Sequence, residues 1–217
     1  TGWAAYEAAQ DVKRQLIERG ARVWDVPQDQ VEYVDGALQH RSDPELRMTF
    51  KEIASMLPET GGPVVGRANL NPGGSGGSYS ANIVDVEVDV ETGKVDILRF
   101  TALQDAGTAV HPGYVEGQIQ GGTSQGAGWA LHEEYFMGED GRMLNSSLLD
   151  YRMPTALDLP MIETVIVEVP NPGHPFGVRG VGEANIVPPL GALANAIYDA
   201  VGVRMNRLPM NPASIVK

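Results

Sequence analysis

The sequence contains no cysteine, which excludes disulfide bonds, thiolate catalysis and cysteine-ligated metal within the chain. Long apolar runs are also missing, because no stretch approaches the roughly 20 residues that a helix needs to cross a bilayer. The first residues, Thr1-Gly2-Trp3, do not show a basic region followed by an apolar one, so no signal peptide is visible. We therefore expect a cytoplasmic protein.

Basic residues are scarce beside acidic ones, with 16 Lys and Arg against 28 Asp and Glu and a net charge of −12. This balance argues against nucleic acid or an anionic membrane as a partner. The hydrophobic content of 42% is ordinary for a globular protein. The 217 residues suffice for one domain over 1–217, or for two α+β lobes at about 1–110 and 111–217.

The most informative stretch is a glycine-rich loop that leads into a helix. Asn185 is predicted to cap this helix, with Pro188 and Pro189 in the first turn, where a missing N–H costs nothing. Glu183 would then lie just outside the positive end of the helix, which favours a negative charge. Apolar residues at spacings of three and four predict one buried helix face: Ile186, Leu190, Leu193, Ile197 and Val201.

Two interpretations of Glu183 follow from its position. An ionised carboxylate there could act as a general base, and Gly177, Gly180 and Gly182 would let the backbone bend and a ligand come close. An acidic residue near a helix start is also common for dipole reasons alone, and spacing by itself favours that explanation. Arg179 could likewise pair with a substrate carboxylate or phosphate, but an ion pair within the loop is favoured.

A second unusual stretch is a predicted helix from Gly113 to Phe136 that contains five glycines. Each glycine costs about 0.5–1 kcal/mol relative to alanine inside a helix, so something must offset them. Gly117, Gly121 and Gly128 fall near one face, which indicates close approach of another backbone or of a large flat ligand. Gln118 and Gln125 lie on a neighbouring face, with amides able to donate and accept hydrogen bonds. On spacing alone, tight helix packing is favoured over ligand binding.

The remaining patterns predict an α+β fold in which antiparallel hairpins or sheets pack with helices. The predicted elements are a helix at Ala4–Arg19 that stops at Gly20, a strand at Val31–Val34 with a turn at Asp35-Gly36, a short helix capped by Thr49 and Glu52, a hairpin at Ile83–Phe100, and a strand at Thr164–Val169. The glycine-rich stretch Gly61–Ser80 is predicted to be a surface connector, although a loop wrapped around a neighbour is the alternative.

Familiar catalytic and metal-binding patterns do not occur. The four histidines stand far apart and in no ligand spacing, so we predict no metal site made of protein ligands. The run Gly73–Ser78 lacks the Lys-Ser/Thr ending of a phosphate-binding loop and leads into a strand, so we reject it as a phosphate cradle. The demanding chemistry would therefore belong to a bound cofactor.

Two segments resemble the molybdopterin-binding large subunit of the xanthine oxidase family. The run Gly-Val-Gly-Glu-Ala-Asn-Ile-Val-Pro-Pro, which contains Gly182 and Glu183, is similar to the C-terminal motif of that family. The run Val115–Gly122, followed by Gln125–Gly128, is similar to the family's Gly-Gln segment. The resemblance covers nearly the whole chain. It implies a molybdenum-cofactor-binding domain, in which Glu183 is the active-site base and Gln118, beside Gly117, contacts the cofactor.

The resemblance also implies a reaction and a set of partners. The reaction would be hydroxylation of an N-heteroaromatic or aldehyde carbon with oxygen derived from water. The cofactor would be molybdopterin with molybdenum, in the cytosine dinucleotide form, and electrons would pass to 2Fe-2S clusters and FAD on partner domains or subunits. The family's Ser/Thr-rich pterin loop would lie immediately before Thr1. This chain should therefore hold half a site, completed by another molybdopterin-binding chain or by the N-terminal half of the same subunit.

Two other functions stay open at this point. One is a molybdenum-dependent reductase of an aromatic acyl-CoA, with the same scaffold but the electrons running inward. The other is a non-catalytic interaction domain, in which the glycine-containing helix only packs against a partner chain.

Overall fold

The computed structural model describes residues 1–71, 73–74 and 76–216, and it divides into two compact units, Thr1–Gly73 and Gly74–Lys217. Pro72 and Ser75, which belong to the predicted connector and to the rejected phosphate cradle, lie outside the described residues. The boundary falls inside Gly61–Ser80, so this stretch connects the two units.

The first unit combines a long helix with a small antiparallel sheet. Its elements are α1 (Gly2–Trp24), β1 (Val31–Val34), β2 (Ala37–His40), β3 (Arg47–Thr49), α2 (Phe50–Ser55) and α3 (Leu57–Thr60), with the strands in the order β1-β2-β3. The predicted turn at Asp35-Gly36 is confirmed, with positive φ at both residues. Thr49 and Glu52 form the predicted capping box at the start of α2.

The predicted end of α1 at Gly20 is wrong. Gly20 is buried within the helix, where an added Cβ would lie 2.7 Å from Leu38 Cδ1. The glycine therefore lets α1 lie directly against β2. This requirement comes from tertiary packing, so the local sequence does not reveal it. The helix continues to Trp24 and ends where Asp25 adopts the left-handed conformation, with φ 55°.

The second unit is built on another three-stranded sheet. Its elements are β4 (Tyr79–Val88), β5 (Val95–Asp105), α4 (Pro112–Leu131), β6 (Ile162–Val167), α5 (Pro188–Val201) and α6 (Pro212–Ile215), with the strands in the order β4-β5-β6. The predicted hairpin is the antiparallel pair β4 and β5, with a shift in register between Asp85 and Val86. Strand β6 pairs parallel to β5, so the chain must cross over between them, and α4 lies in that crossover.

One hydrophobic core joins these elements. It includes Phe100 on β5, Ile119 on α4, and Leu193 and Ile197 on α5. Because β5 and α4 share this core, the structure does not divide near residue 110, and the compact units instead separate at Gly73 and Gly74.

Candidate functional site

Helix α4 approaches the chain segment that follows Glu183. A Cβ added at Gly122 would lie 3.4 Å from Asn185 Cβ, and one added at Gly126 would lie 2.5 Å from the carbonyl oxygen of Ile186. Both glycines are buried. They let the two backbones come together, which offsets part of the cost of glycine inside a helix.

The other glycines of α4 do not behave as one group. A Cβ added at Gly128 would lie 2.7 Å from Pro154 Cδ, so this residue also packs within the chain. Gly117 and Gly121 are exposed, and a Cβ added at either would meet nothing within 4 Å. The three glycines share one helical face by their spacing, as expected, but within the described structure other residues cover that face only at Gly128. The open glycines lie beside the exposed Gln118 and Gln125.

The loop before Glu183 is paired to the end of β5. The N–H of Thr108 donates to Gly177 O at 2.9 Å, and the N–H of Arg179 donates to Ala106 O at 3.0 Å. Gly107 and Gly177 both have positive φ, and a Cβ added at Gly107 would lie 2.2 Å from Gly177 O. Only glycine allows so close a crossing of the two segments.

Arg179 makes the internal ion pair that the sequence favoured. Its Nε lies 3.1 Å from Asp105 Oδ2, and each side chain is 12% exposed. Its guanidinium also donates to the carbonyl oxygens of Val169 at 3.1 Å and Gly77 at 2.7 Å. Arg179 thus ties the loop to three other segments of the second unit and is already engaged within the chain.

Burial raises the pKa of the Asp105 carboxyl, but the surrounding donors outweigh burial and lower the pKa below its usual value. These donors are the N–H groups of Gly107 at 2.9 Å and Val169 at 3.1 Å, together with the Arg179 guanidinium. A carboxyl whose pKa is lowered by folding stabilises the protein above its unfolded pKa. That stabilisation is lost as the pH falls through the folded pKa.

We expect Arg179→Met to destabilise the protein by about 1–2 kcal/mol near pH 7, because it leaves the largely buried Asp105 carboxylate without its cation. The loss should shrink below about pH 4, where the carboxyl becomes protonated in the unfolded chain and then in the folded one. Thermal unfolding of the intact protein between pH 3 and pH 7 measures this. The matched control is Arg142→Met, since Arg142 pairs with Asp140 at the surface. An equal loss in both variants would contradict the assignment.

The structure also joins two buried amides that the sequence analysis did not connect. Gln104 on β5 and Asn185 are each 1% exposed, and Asn185 Nδ2 donates to Gln104 Oε1. Gln104 Nε2 in turn donates to Gly180 O at 2.9 Å and to Ser78 Oγ at 3.2 Å. The prediction of Asn185 as a helix cap is wrong, because its side chain is used in this network.

Glu183 lies at the start of a 3₁₀ turn, Ala184–Ile186, that precedes α5. The predicted direct approach of Glu183 to the first turn of α5 is therefore replaced by this intervening turn, although Pro188 and Pro189 do occupy that first turn. Glu183 and Gly182 are both exposed. Within the described part of the chain, the Glu183 carboxylate accepts no hydrogen bond, so its position follows from the backbone that carries it.

The predicted site residues lie on two elements that touch each other. Gln118 is one helical turn before Gly122, whose added Cβ would contact Asn185, and Glu183 is two residues before Asn185. The backbones of Gln118 and Glu183 are therefore within about 20 Å of each other. In the described structure no hydrogen bond joins the two side chains.

A cavity of about 870 Å³ lies elsewhere in the second unit. It is lined by residues near the start of β5, the end of α4 and the segment before α6, including Lys94, His132 and Met210. None of the predicted site residues lines it.

In the described ranges, no group of three His, Asp or Glu side chains could hold a metal ion. Nor is any helix of these ranges long and apolar enough to cross a membrane.

Comparison with known proteins defines the class of this chain as a molybdopterin-binding segment. The family model of the molybdopterin cofactor-binding domain matches residues 1–160. The xanthine dehydrogenase molybdenum-binding subunit of Escherichia coli O157:H7 is 37% identical over 169 residues, which cover 76% of this chain and 22% of that protein. The chain therefore belongs to the molybdopterin cofactor-binding domain family, within the xanthine oxidase family.

Other relatives agree with this assignment. The carbon monoxide dehydrogenase large chain of Afipia carboxidovorans is 31% identical over 209 residues, covering 92% of this chain and 25% of that protein. Crystal structures of Cu,Mo-CO dehydrogenase and of quinoline 2-oxidoreductase from Pseudomonas putida 86 superpose with TM-scores of 0.81 and 0.80. Each is 28% identical and covers 95% of this chain, but only 27% and 28% of the other chain. The chain thus spans about a quarter of the length of these relatives.

Proposed function

We propose that this chain forms the C-terminal part of a molybdenum-cofactor site in an oxidoreductase. The observation that carries the proposal is the exposed face of α4, where Gly117 and Gly121 weaken the helix and a Cβ added at either would contact none of the described residues. The exposed amides of Gln118 and Gln125 lie beside these glycines. A group that approaches from outside the chain would explain both the missing side chains and the available amides.

Polar groups of molybdopterin fit these residues. The Gln118 amide can donate one hydrogen bond and accept another, and Gly117 leaves the helix surface open for a flat group beside it. On the opposite segment, Gly182 adds no side chain next to Glu183. In the described structure, a Cβ added at Gly182 meets nothing within 4 Å, so this backbone is open to a ligand as well.

When bound, the molybdenum cofactor would supply the two-electron redox chemistry and the activated oxygen derived from water. Glu183 would supply the base. Its carboxylate can take up a proton in the transition state, and general bases of this kind contribute about 10²–10⁴-fold to the rate. Arg179 does not act on the substrate in this proposal, because its guanidinium is already bonded to Asp105, Val169 and Gly77.

The complete enzyme would hydroxylate an N-heteroaromatic or aldehyde carbon. The names of the relatives support this substrate class, since they include a quinoline 2-oxidoreductase and an aldehyde oxidoreductase from Desulfovibrio gigas. Another relative is the gamma subunit of a 6-hydroxypseudooxynicotine dehydrogenase complex. We include in the proposal a cytosine dinucleotide form of the cofactor, a second molybdopterin-binding segment, and 2Fe-2S and FAD partners.

The cheapest test is metal analysis of the intact purified protein that contains this chain. We expect about one molybdenum atom per copy, and Gln118→Leu should lower that occupancy because it removes an amide bonded to the cofactor. The matched control is Gln39→Leu, a glutamine of the first unit that is bonded to Glu32 at 2.9 Å. Absence of molybdenum from the intact protein would overturn the proposal in favour of an interaction domain.

A further inference from the structure

The segment 180–185, which carries Glu183, is held by hydrogen bonds at three of its residues: Gly180, Ala184 and Asn185. Gly180 O accepts from Ser78 Oγ at 2.7 Å and from Gln104 Nε2 at 2.9 Å. Ser80 Oγ donates to Ala184 O at 2.7 Å. The third point is the Asn185 amide, whose Nδ2 donates to Gln104 Oε1. These bonds bracket Glu183 on both sides.

Gln104 is the only side chain among the described residues that bonds to both ends of this segment. Its Nε2 donates to the carbonyl oxygen of Gly180, three residues before Glu183. Its Oε1 accepts from Nδ2 of Asn185, two residues after Glu183. The Gln104 side chain is 1% exposed, so water has little access to the amide that makes these bonds. A single amide thus fixes the distance between the two ends of the segment.

The Glu183 carboxylate has no bond of its own in the described structure. The position of the carboxylate then depends on the segment from Gly180 to Asn185, and Gln104 bonds to the backbone of Gly180 and to the side chain of Asn185. A base acts directly only when its oxygen is within about 2.6–3.2 Å of the atom that carries the proton. A displacement of about 1 Å can reduce the rate by about 10²-fold.

We propose that Gln104 is a positioning residue that sets the location of the Glu183 carboxylate through Gly180 and Asn185. This inference rests on the proposed role of Glu183 as the base. It adds a residue on β5 that the motif containing Glu183 does not include. It also gives Asn185 a role in positioning Glu183 together with Gln104, instead of a role in helix capping.

The test must separate positioning from folding. Gln104→Met alone leaves the buried Asn185 amide without its acceptor and should destabilise the protein. The double variant Gln104→Met/Asn185→Leu replaces both amides by apolar side chains of similar size, which can be nearly neutral for stability. Gly180 O remains bonded to Ser78 Oγ in this variant, so the carbonyl that loses Gln104 keeps one donor.

In the intact molybdenum-loaded protein, we expect the double variant to unfold at nearly the wild-type temperature and to keep its molybdenum. Its kcat should fall about 10-fold to 100-fold while KM changes little. Amide hydrogen exchange in residues 178–187 should become at least about tenfold faster, which does not depend on turnover. The matched control is Gln39→Met, whose amide is bonded on the sheet of the first unit, and it should show neither change.

Wild-type kcat and wild-type exchange in a folded double variant would overturn the inference. If the double variant does not accumulate as folded protein, Asn185→Ala is the second test, because it removes the bond between Asn185 and Gln104 Oε1 and leaves Gln104 itself unchanged. That variant should show faster exchange in residues 178–187 and about threefold lower kcat, on the same positional argument. Unchanged values there would overturn the inference. The failure of the base assignment is separate, since it would appear as full turnover in Glu183→Gln.

Discussion

Glu183→Gln is expected to lower kcat of the intact enzyme by about 10²–10⁴-fold, with molybdenum content unchanged. The substitution keeps the size of the side chain but removes its ability to accept a proton. Because the Glu183 carboxylate is exposed and unbonded in the described structure, the change should not disturb folding. Turnover, metal content and thermal unfolding measured on the same preparation provide the test.

The matched control is Glu139→Gln, another exposed glutamate, in the turn between residues 138 and 141. It should leave turnover at the wild-type level. A Glu183→Gln protein that retains molybdenum and also retains full activity would remove Glu183 from the mechanism. Equal losses in both variants would point instead to a general effect of charge.

Gly126→Ala is expected to destabilise the protein by about 3 kcal/mol, near the upper end of the usual range for overpacking. The new Cβ would lie 2.5 Å from Ile186 O and 2.7 Å from Pro189 Cγ. The first of these is a backbone atom and the second belongs to a rigid ring, so neither can move aside as a flexible side chain could. Helix α4 must therefore shift away from the start of α5.

The same substitution five residues earlier, at Gly121, should change the stability in the opposite direction. Gly121→Ala places its Cβ in open space, and alanine is favoured over glycine in a helix interior by about 0.5–1 kcal/mol. Thermal unfolding of the intact protein compares the two variants directly. We also expect Gly121→Ala to lower molybdenum occupancy, because its methyl group would occupy the face proposed to meet the cofactor. Equal destabilisation by both alanines would contradict the division of the glycines into packed and open groups.

Local patterns were sufficient for much of the fold. The hairpin of β4 and β5 follows from alternating apolar and acidic residues, and the start of α2 follows from Thr49 and Glu52. Both features depend on residues close together in the sequence. The predicted end of α1 at Gly20 is wrong because Gly20 makes room for the side chain of Leu38, which lies on a different element. A helix end and a close helix–strand contact can require the same amino acid.

The same distinction between local patterns and contacts of distant residues applies to the candidate site. Resemblance of the motifs to a known family singled out Glu183 and Gln118, and their roles stay predictions. Periodicity could not distinguish the open Gly121 from the packed Gly126, since this depends on which face of α4 the chain itself covers. The bond between Gln104 and Asn185 was equally hidden, because buried amides carry no pattern that identifies their partners.

The bonds around Glu183 connect residues far apart along the polypeptide: 76 positions separate Gln104 from Gly180, and 104 separate Ser80 from Ala184. Closing contacts over such spans carries a large entropic penalty, so they should form late in folding, after the hairpin and α4 are in place. A newly made or damaged chain would then possess its hairpin before Glu183, the proposed base, is in position. Only the completely folded chain would thus have its Glu183 carboxylate in place to act as a base, and partly folded chains would not.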